Sequence, residues 1–260
     1  MEEFKNKVAM VTGAGGGIGR ATALMLADRG ANVVVADVLE NQGRQTVEMI
    51  AEKGGEAVFV PTDVSASEDV QALVQSAVDR FGGVDYAVNN AGIGGPNALT
   101  ADYPEEEWHR IIGINLTGVW LCMKYAIPQM LKKGKGTIVN VASAMGLTGL
   151  SLVGGYTAAK HGVVGLTKTA AMEYAGQGIR ITAVCPGFVQ TPMMDEAAEI
   201  GGVPRDDFYA ALSSFSAMQR VATPKEIAQS IVWLCSDAAS FVTGNTMVVD
   251  GGWTCGYQLR

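Results

Sequence analysis

Lys7-Val8-Ala9-Met10-Val11-Thr12-Gly13-Ala14-Gly15-Gly16-Gly17-Ile18-Gly19 runs from an apolar stretch straight into a glycine-rich turn, and an amphipathic pattern follows, ending near Arg29-Gly30. The apolar stretch reads as a buried strand and the amphipathic one as a helix. Glycines let the backbone turn tightly and approach a pyrophosphate, while the helix start offers amide donors and the positive end of a dipole. A glycine-rich turn alone says little; its place between strand and helix makes it a nucleotide-binding signal. Asn32-Val33-Val34-Val35-Ala36-Asp37 is a second strand, and it closes on an acid about 20 residues past the glycines. A carboxylate there accepts hydrogen bonds from ribose hydroxyls and repels a 2′-phosphate.

The same alternation continues along the chain. Ala57-Val58-Phe59-Val60-Pro61 reads as the third strand, Val84-Asp85-Tyr86-Ala87-Val88 as the fourth, and Thr137-Ile138-Val139-Asn140-Val141-Ala142 as the fifth. Gly178-Ile179-Arg180-Ile181-Thr182-Ala183-Val184-Cys185 and Met247-Val248-Val249-Asp250-Gly251-Gly252 supply the sixth and seventh. Helical patterns cover residues 45–53 and 105–131, and Ser65-Ala66-Ser67-Glu68 has the form of a capping box. Thr223-Pro224-Lys225-Glu226 combines an N-cap, a proline at the first helical position and an acid two residues on, so a helix starts there and ends near Cys235. With right-handed crossovers the expected architecture is α/β, a single-domain doubly wound Rossmann fold. Its seven-stranded parallel sheet has the order 3-2-1-4-5-6-7 and helices on both faces.

Composition narrows the class. No Pro- or Ser-rich linker divides the 260 residues, so 1–260 reads as one domain, with a lid at about 188–220. A hydrophobic share of 48% supports a sizeable core and excludes disorder. Nineteen Lys and Arg face 26 Asp and Glu, and no basic run follows a phosphate backbone, which excludes nucleic acid as a partner. Cys122, Cys185, Cys235 and Cys255 lack metal-ligand spacing and read as free thiols of a reducing compartment, with no metal expected. The start Met1-Glu2-Glu3-Phe4-Lys5 is no signal peptide. Residues 136–159 carry no charge and are long enough to mimic a membrane span, but glycines, Asn140, Ser143 and Ser151 interrupt them. No membrane association is expected, and the location is cytoplasmic.

The chemistry gathers between Val139 and Lys160. Ser143 follows the fifth strand, and strand ends facing a cleft are where doubly wound proteins keep their sites. Tyr156 and Lys160, four apart in Gly155-Tyr156-Thr157-Ala158-Ala159-Lys160-His161-Gly162, share one helix face. A phenol of pKa about 10 is a poor base at neutral pH, and an adjacent fixed cation favours the phenolate. Asn115, in Ile114-Asn115-Leu116-Thr117-Gly118, is locally unfavourable in an apolar helix; it is either a satisfied core polar group or a kink exposing a carbonyl to water. His109 lies on a charged stretch and His161 faces away from the Tyr156/Lys160 line, so neither is assigned a role.

The Thr-Gly-x-x-x-Gly-x-Gly turn, Asp37, Asn115, Ser143 and the Tyr-x-x-x-Lys pair occur together and in order from about Lys7 to Gly252. In this the chain resembles the short-chain dehydrogenase/reductase family. The resemblance implies a catalytic set of Asn115, Ser143, Tyr156 and Lys160, with Asn115 holding a water beside Lys160. It implies a nicotinamide cofactor held by Gly13, Gly17, Ile18, Gly19, Asp37, Asp63, Val64, Asn89, Asn90, Gly92, Tyr156, Lys160, Pro186, Gly187, Val189 and Thr191, presenting its pro-S face. Asp63 equally reads as a simple turn cap. Val38 and Gly16 stand where NADP-dependent members often carry a base, so NAD is expected, although Arg20 and Arg44 could lean toward a 2′-phosphate. The family also implies a homotetramer, built through the helices beginning near Glu105 and Gly155 and the last strand. Trp253, Cys255 and Tyr257 form an aromatic tail that either closes a neighbour's pocket or folds over its own core.

Met145, Leu150, Leu152, Phe188, Met193, Met194, Phe208 and Leu212 are the expected substrate pocket, and they are apolar. With no Arg placed for a carboxylate or phosphate, they suit a small hydrophobic secondary alcohol or ketone, alicyclic or terpenoid. Val119-Trp120-Leu121-Cys122-Met123-Lys124-Tyr125 is similar to a stretch of bacterial cyclic-alcohol dehydrogenases. Two rival functions are a 3-ketoacyl-carrier-protein-type reductase, which would need a basic rim that the acids of 195–207 do not provide, and a non-catalytic NAD-binding sensor, which would need no base.

Overall fold

The computed structural model describes residues 3–256. Parallel strands covered on both faces demand continuous apolar runs, and those runs become strands. They are β1 (Val8–Thr12), β2 (Asn32–Asp37), β3 (Ala57–Pro61), β4 (Tyr86–Asn89), β5 (Gly136–Val141), β6 (Ile179–Pro186) and β7 (Thr246–Val249). They form one seven-stranded sheet in the order β3-β2-β1-β4-β5-β6-β7, parallel at every pairing. The order reverses between β1 and β4, which places a crevice at their C-terminal ends. β4 starts two residues later than the sequence pattern suggests because Asp85 turns aside: its carboxylate accepts the Val8 amide (2.9 Å) and pairs with Lys133 (2.6 Å).

Alternate residues of each strand face opposite layers. Val8, Met10, Ile138 and Ile181 pack with α3 (Ser67–Phe81), α5 (Gly118–Lys133) and α6 (Gly154–Tyr174) through Leu73, Met123 and Val163. Ala9, Val11, Val139 and Val184 pack on the other face with α1 (Gly17–Asp28) and α9 (Pro224–Cys235) through Leu26 and Ile231. The remaining helices are α2 (Glu40–Ala51), α4 (Glu105–Ile112), α7 (Pro192–Ile200) and α8 (Arg205–Ser213), the last two lying within the stretch 188–220.

Three local expectations are corrected. α2 begins at Glu40 rather than at residue 45; its first turn is polar and contains Gly43, whose α-carbon lies against the Phe59 ring. α3 has no capping box, since its N-cap is Ala66, while Ser65 Oγ donates to Asp63 Oδ1 (2.7 Å). The turn reading of Asp63 is thereby realised. The helix expected over 105–131 is α4 and α5 joined by a π-helical turn, Gly113–Thr117. By length and composition Glu105–Lys133 could cross a bilayer; here Ile111, Val119, Leu121, Met123 and Met130 are buried against the sheet and its neighbours. The uncharged stretch 136–159 divides into β5, a 3-10 turn (Ala144–Gly146) and the start of α6. α9 begins at the N-cap read from sequence, and there Thr223 and Glu226 form a capping box, satisfying each other's backbone amides.

Candidate active site

Ser143 stands just past the end of β5 in extended conformation and caps the 3-10 turn, its Oγ accepting from the Met145 amide at 3.2 Å. Tyr156 and Lys160 lie one turn apart in α6. Lys160 is buried, donates from Nζ to the Val141 carbonyl (2.9 Å) at the end of β5, and sits 5.5 Å from the centre of the Tyr156 ring. The strand end and the helix are thereby tied through the Lys160 side chain.

The electrostatics differ from the expectation drawn from spacing. Burial raises the Tyr156 phenol above its ordinary value; the Ser143 hydroxyl pulls it down, and the Cys185 thiol adds a smaller upward push. Lys160 is itself lowered by burial, to about 8. Removing an ion from water outweighs the neighbouring attraction, so burial shifts both groups toward their neutral forms, with Lys160 still charged below about pH 8. Cys185, whose thiol burial raises to about 11, is the neighbour that sequence reasoning missed; nothing in its spacing marks it.

Asn115 lies in the π-helical turn and is fully buried. Its Oδ1 accepts from the Ile93 amide (2.8 Å) and its Nδ2 donates to the Ile93 carbonyl (2.9 Å). Both readings of this residue are realised in part, since the side chain is satisfied and the helix departs from α geometry. A Cβ on Gly92 would lie 3.0 Å from Asn115 Oδ1 and 3.6 Å from Lys160 Nζ, so the three positions adjoin.

The glycine turn meets the same edge of the sheet. A Cβ at Gly19 would come 2.1 Å from the Gly13 carbonyl oxygen, and Asn90 Nδ2 donates to the carbonyls of Thr12 (2.9 Å) and Gly13 (3.2 Å). Asn89 is buried and donates to Asn140 Oδ1 (2.8 Å). Asp37 accepts the Gly15 amide (2.8 Å) on one oxygen and the Leu39 amide (2.9 Å) on the other. Gly17 faces the Thr191 methyl, and Ile18 packs on the core. Val64 is buried against Gly118. Gly187, after Pro186, donates to Val249 (3.1 Å), while Val189 is buried and bridges to Ala222. Arg20 is held by Thr46 Oγ1 (3.0 Å), the Gln42 carbonyl (3.1 Å) and the Gly15 carbonyl, and Arg44 by Glu40 (2.6 Å).

The expected pocket residues are only partly brought together. Phe188 and Leu212 line one crevice with Phe215, Met218 and Trp253, whereas Met145, Leu150, Leu152, Met193, Met194 and Phe208 lie outside it. Leu152 is exposed with φ +71°, and Phe208 stands edge-on to Tyr209. Trp253 stacks on Phe188 of its own chain; Tyr257 lies outside the described residues.

Residues 13–254 match the family model described as enoyl-(acyl carrier protein) reductase. The chain is 44% identical over 252 residues to cyclohexanol dehydrogenase of Acinetobacter sp. (strain SE19), covering 97% of this chain and 96% of that one. It is 44% identical over 255 residues to 2,5-dichloro-2,5-cyclohexadiene-1,4-diol dehydrogenase of Sphingobium indicum (strain UT26), covering 98% and 99%. Among solved structures it matches levodione reductase with a TM-score of 0.94 and 35% identity, over 98% of this chain and 100% of that one. With these likenesses spanning nearly the whole chain, and a Ser143, Tyr156 and Lys160 site beside a glycine turn, the protein belongs to the short-chain dehydrogenase/reductase family.

Proposed function

We propose that the protein is an NAD-dependent alcohol dehydrogenase that interconverts a hydrophobic alicyclic secondary alcohol and its ketone. The observation that carries this reading is the convergence of Ser143, Tyr156 and Lys160 where β5 meets α6. Tyr156 holds the proton of the carbinol oxygen, taking it in oxidation and returning it in reduction, and Ser143 donates to the same oxygen as negative charge develops there. Lys160 supplies positive charge beneath the phenol. Asn115 fixes the Ile93 backbone beside Lys160 and so shapes the proton's way out.

The cleft fits a dinucleotide. The first amides of α1 have no partner within the helix, and glycine leaves the turn open to a phosphate. Asp37 stands where ribose hydroxyls would come, and Gly92 leaves room beside Lys160 that a side chain would fill. Gly13, Gly17, Ile18, Gly19, Asp63, Val64, Asn89 and Asn90 would hold the adenosine and phosphate side, with Pro186, Gly187, Val189 and Thr191 at the nicotinamide end. When bound, the nicotinamide supplies the hydride acceptor and donor. NAD is favoured over NADP because Arg20 and Arg44 are both engaged elsewhere, while the Asp37 side chain stands where a 2′-phosphate would lie.

Relatives named for cyclohexanol and a cyclohexadiene-diol support a ring alcohol as substrate. An acyl-carrier reductase is disfavoured, because Arg205, the one base of the acidic lid 195–207, is bound to Asp195 at 2.7 Å. A pure NAD sensor is disfavoured because a buried Lys160 weakens folding in a way that nucleotide binding alone does not require. The test follows NADH absorbance with NAD and a panel of alicyclic alcohols. Tyr156→Phe is expected to lower turnover by about 10²–10⁴-fold while NAD still binds. Tight NAD binding with no turnover on any alcohol or ketone would favour the sensor.

A homotetramer is the proposed assembly. Trp108 and Trp120 on the α4–α5 run are 41% and 43% exposed, and Val248 on edge strand β7 is 43% exposed. Apolar surface of this kind suits contact with further copies. A stable monomer in light scattering would remove this assignment. With three buried free thiols, we place the protein in the cytoplasm.

A further inference from the structure

Three aromatic rings from three separate segments close the space beyond Gly187. Phe188, just after β6, stacks on Trp253 with centroids 4.8 Å apart and planes 18° apart. Phe215, two residues past α8, stands edge-on to Phe188 (5.3 Å) and to Trp253 (5.5 Å).

Trp253 is held as part of the framework. The Asp250 carboxylate accepts the Gly252 amide (2.8 Å), the Thr254 amide (2.8 Å) and the Thr254 hydroxyl (2.7 Å), closing the turn around the indole. A Cβ on Gly252 would lie 2.9 Å from Ala217, so the turn is pressed against the lid. Next to the rings lies a crevice lined by Leu212, Met218 and Val249. Arg220 borders it, but its guanidinium is bonded to both Glu226 oxygens (3.0 and 2.6 Å), so the crevice offers apolar volume rather than a free charge.

The reacting groups are close by along the chain. The Ala142 amide, next to Ser143, donates to the Val184 carbonyl (2.8 Å), which sets Cys185 and the end of β6 beside the strand end that carries the site. Phe188 follows Cys185 by three residues, a reach of about 10 Å in extended chain. That is the scale of one six-membered ring bearing a substituent on its far side.

We propose that Trp253 is a specificity-determining residue of the alcohol site. By bracing Phe188 it fixes the distance between the end wall and Tyr156, so that unsubstituted ring alcohols fit and those with a bulky group opposite the carbinol carbon do not. The proposal rests on the alcohol dehydrogenase reading. Removing the indole lets Phe188 fall back toward the crevice and lengthens the pocket.

The test compares cyclohexanol with 4-tert-butylcyclohexanol as substrates for wild type, Trp253→Ala and Trp253→Phe. In Trp253→Ala the ratio of kcat/KM for the bulky alcohol to that for cyclohexanol is expected to rise at least about tenfold, through KM rather than kcat. Trp253→Phe, which restores a ring to brace Phe188, should return the ratio toward wild type. A flat ratio in Trp253→Ala, with cyclohexanol turnover intact, overturns the assignment of Trp253 and leaves the alcohol reading standing. Absence of turnover on every ring alcohol in wild type sinks the alcohol reading itself. Binding of cyclohexanone, which the wild-type pocket admits, followed by intrinsic fluorescence then decides the matter for Trp253. Quenching seen in wild type and lost in Trp253→Phe supports a ligand at this wall, and quenching unchanged by the substitution overturns it.

Discussion

An ammonium taken out of water destabilises the fold that contains it, and Lys160 does so at the centre of the site. Its pKa falls from 10.5 to about 8, so between those values the folded chain has released a proton that the unfolded chain still holds. Stability conferred by this residue therefore rises with pH across that window and is lowest below about 8, where the charge that the proposed mechanism uses is present. Lys160→Met removes the titration, although it leaves the Val141 carbonyl without its donor. Between pH 8 and 10.5 the stability of wild type relative to Lys160→Met is expected to move in favour of wild type by up to about 3 kcal/mol. Urea unfolding of both proteins along a pH series measures this, and a constant difference would show that the ammonium is not buried as described.

At the scale of elements, the π-helical turn between α4 and α5 is what brings Asn115 to the backbone of Ile93. Two hydrogen bonds from one buried side chain tie this turn to the segment after β4, which also carries Gly92 beside Lys160. Asn115→Ala leaves the Ile93 amide and carbonyl unpaired and is expected to lower stability by about 2–4 kcal/mol, read from denaturant midpoints at unchanged m-value. A loss below about 0.5 kcal/mol would mean that water replaces the side chain without penalty. Asn115 was legible as an anomaly, because a polar amide in an apolar helix stands out by composition. The π turn was not, since a shift in hydrogen-bond register leaves no trace in residue type. The start of α2 was missed for a related reason: Glu40-Asn41-Gln42-Gly43 looks like a loop until Phe59 packs on Gly43. Ser65-Ala66-Ser67-Glu68 fits a capping pattern, yet Asp63 takes the Ser65 hydroxyl first. Where local chemistry alone decides, as in the Thr223 and Glu226 cap, the pattern was sufficient.

Across the whole molecule the sheet order was readable because central parallel strands are apolar throughout and their crossovers have one hand. Contacts between residues distant in sequence, such as Phe188 with Trp253, have no such signal. The same density of packing that specifies the sheet also encloses thiols on both of its faces. Burial raises Cys122 and Cys235 to about 12 and Cys185 to about 11, against 9.0 in the unfolded chain. For these raised acids the stabilisation is complete below pH 9 and is lost as the pH climbs toward the folded values, since the unfolded chain ionises first. Each thiol contributes a loss of about 1.4 kcal/mol per pH unit in that range, and Lys160 offsets the equivalent of one of them up to 10.5. The protein is therefore expected to lose stability steeply between pH 9 and 10, below the range where the raised phenols of Tyr86 and Tyr156 add to the loss, with a net slope near two protons. Substituting Cys122→Ala together with Cys235→Ala should flatten that slope to nearly zero even if small cavities lower the absolute stability at every pH. Unfolding free energies of both proteins at pH 8, 9 and 10 provide the measurement, and parallel curves would show that the alkaline limit lies elsewhere than in these buried thiols.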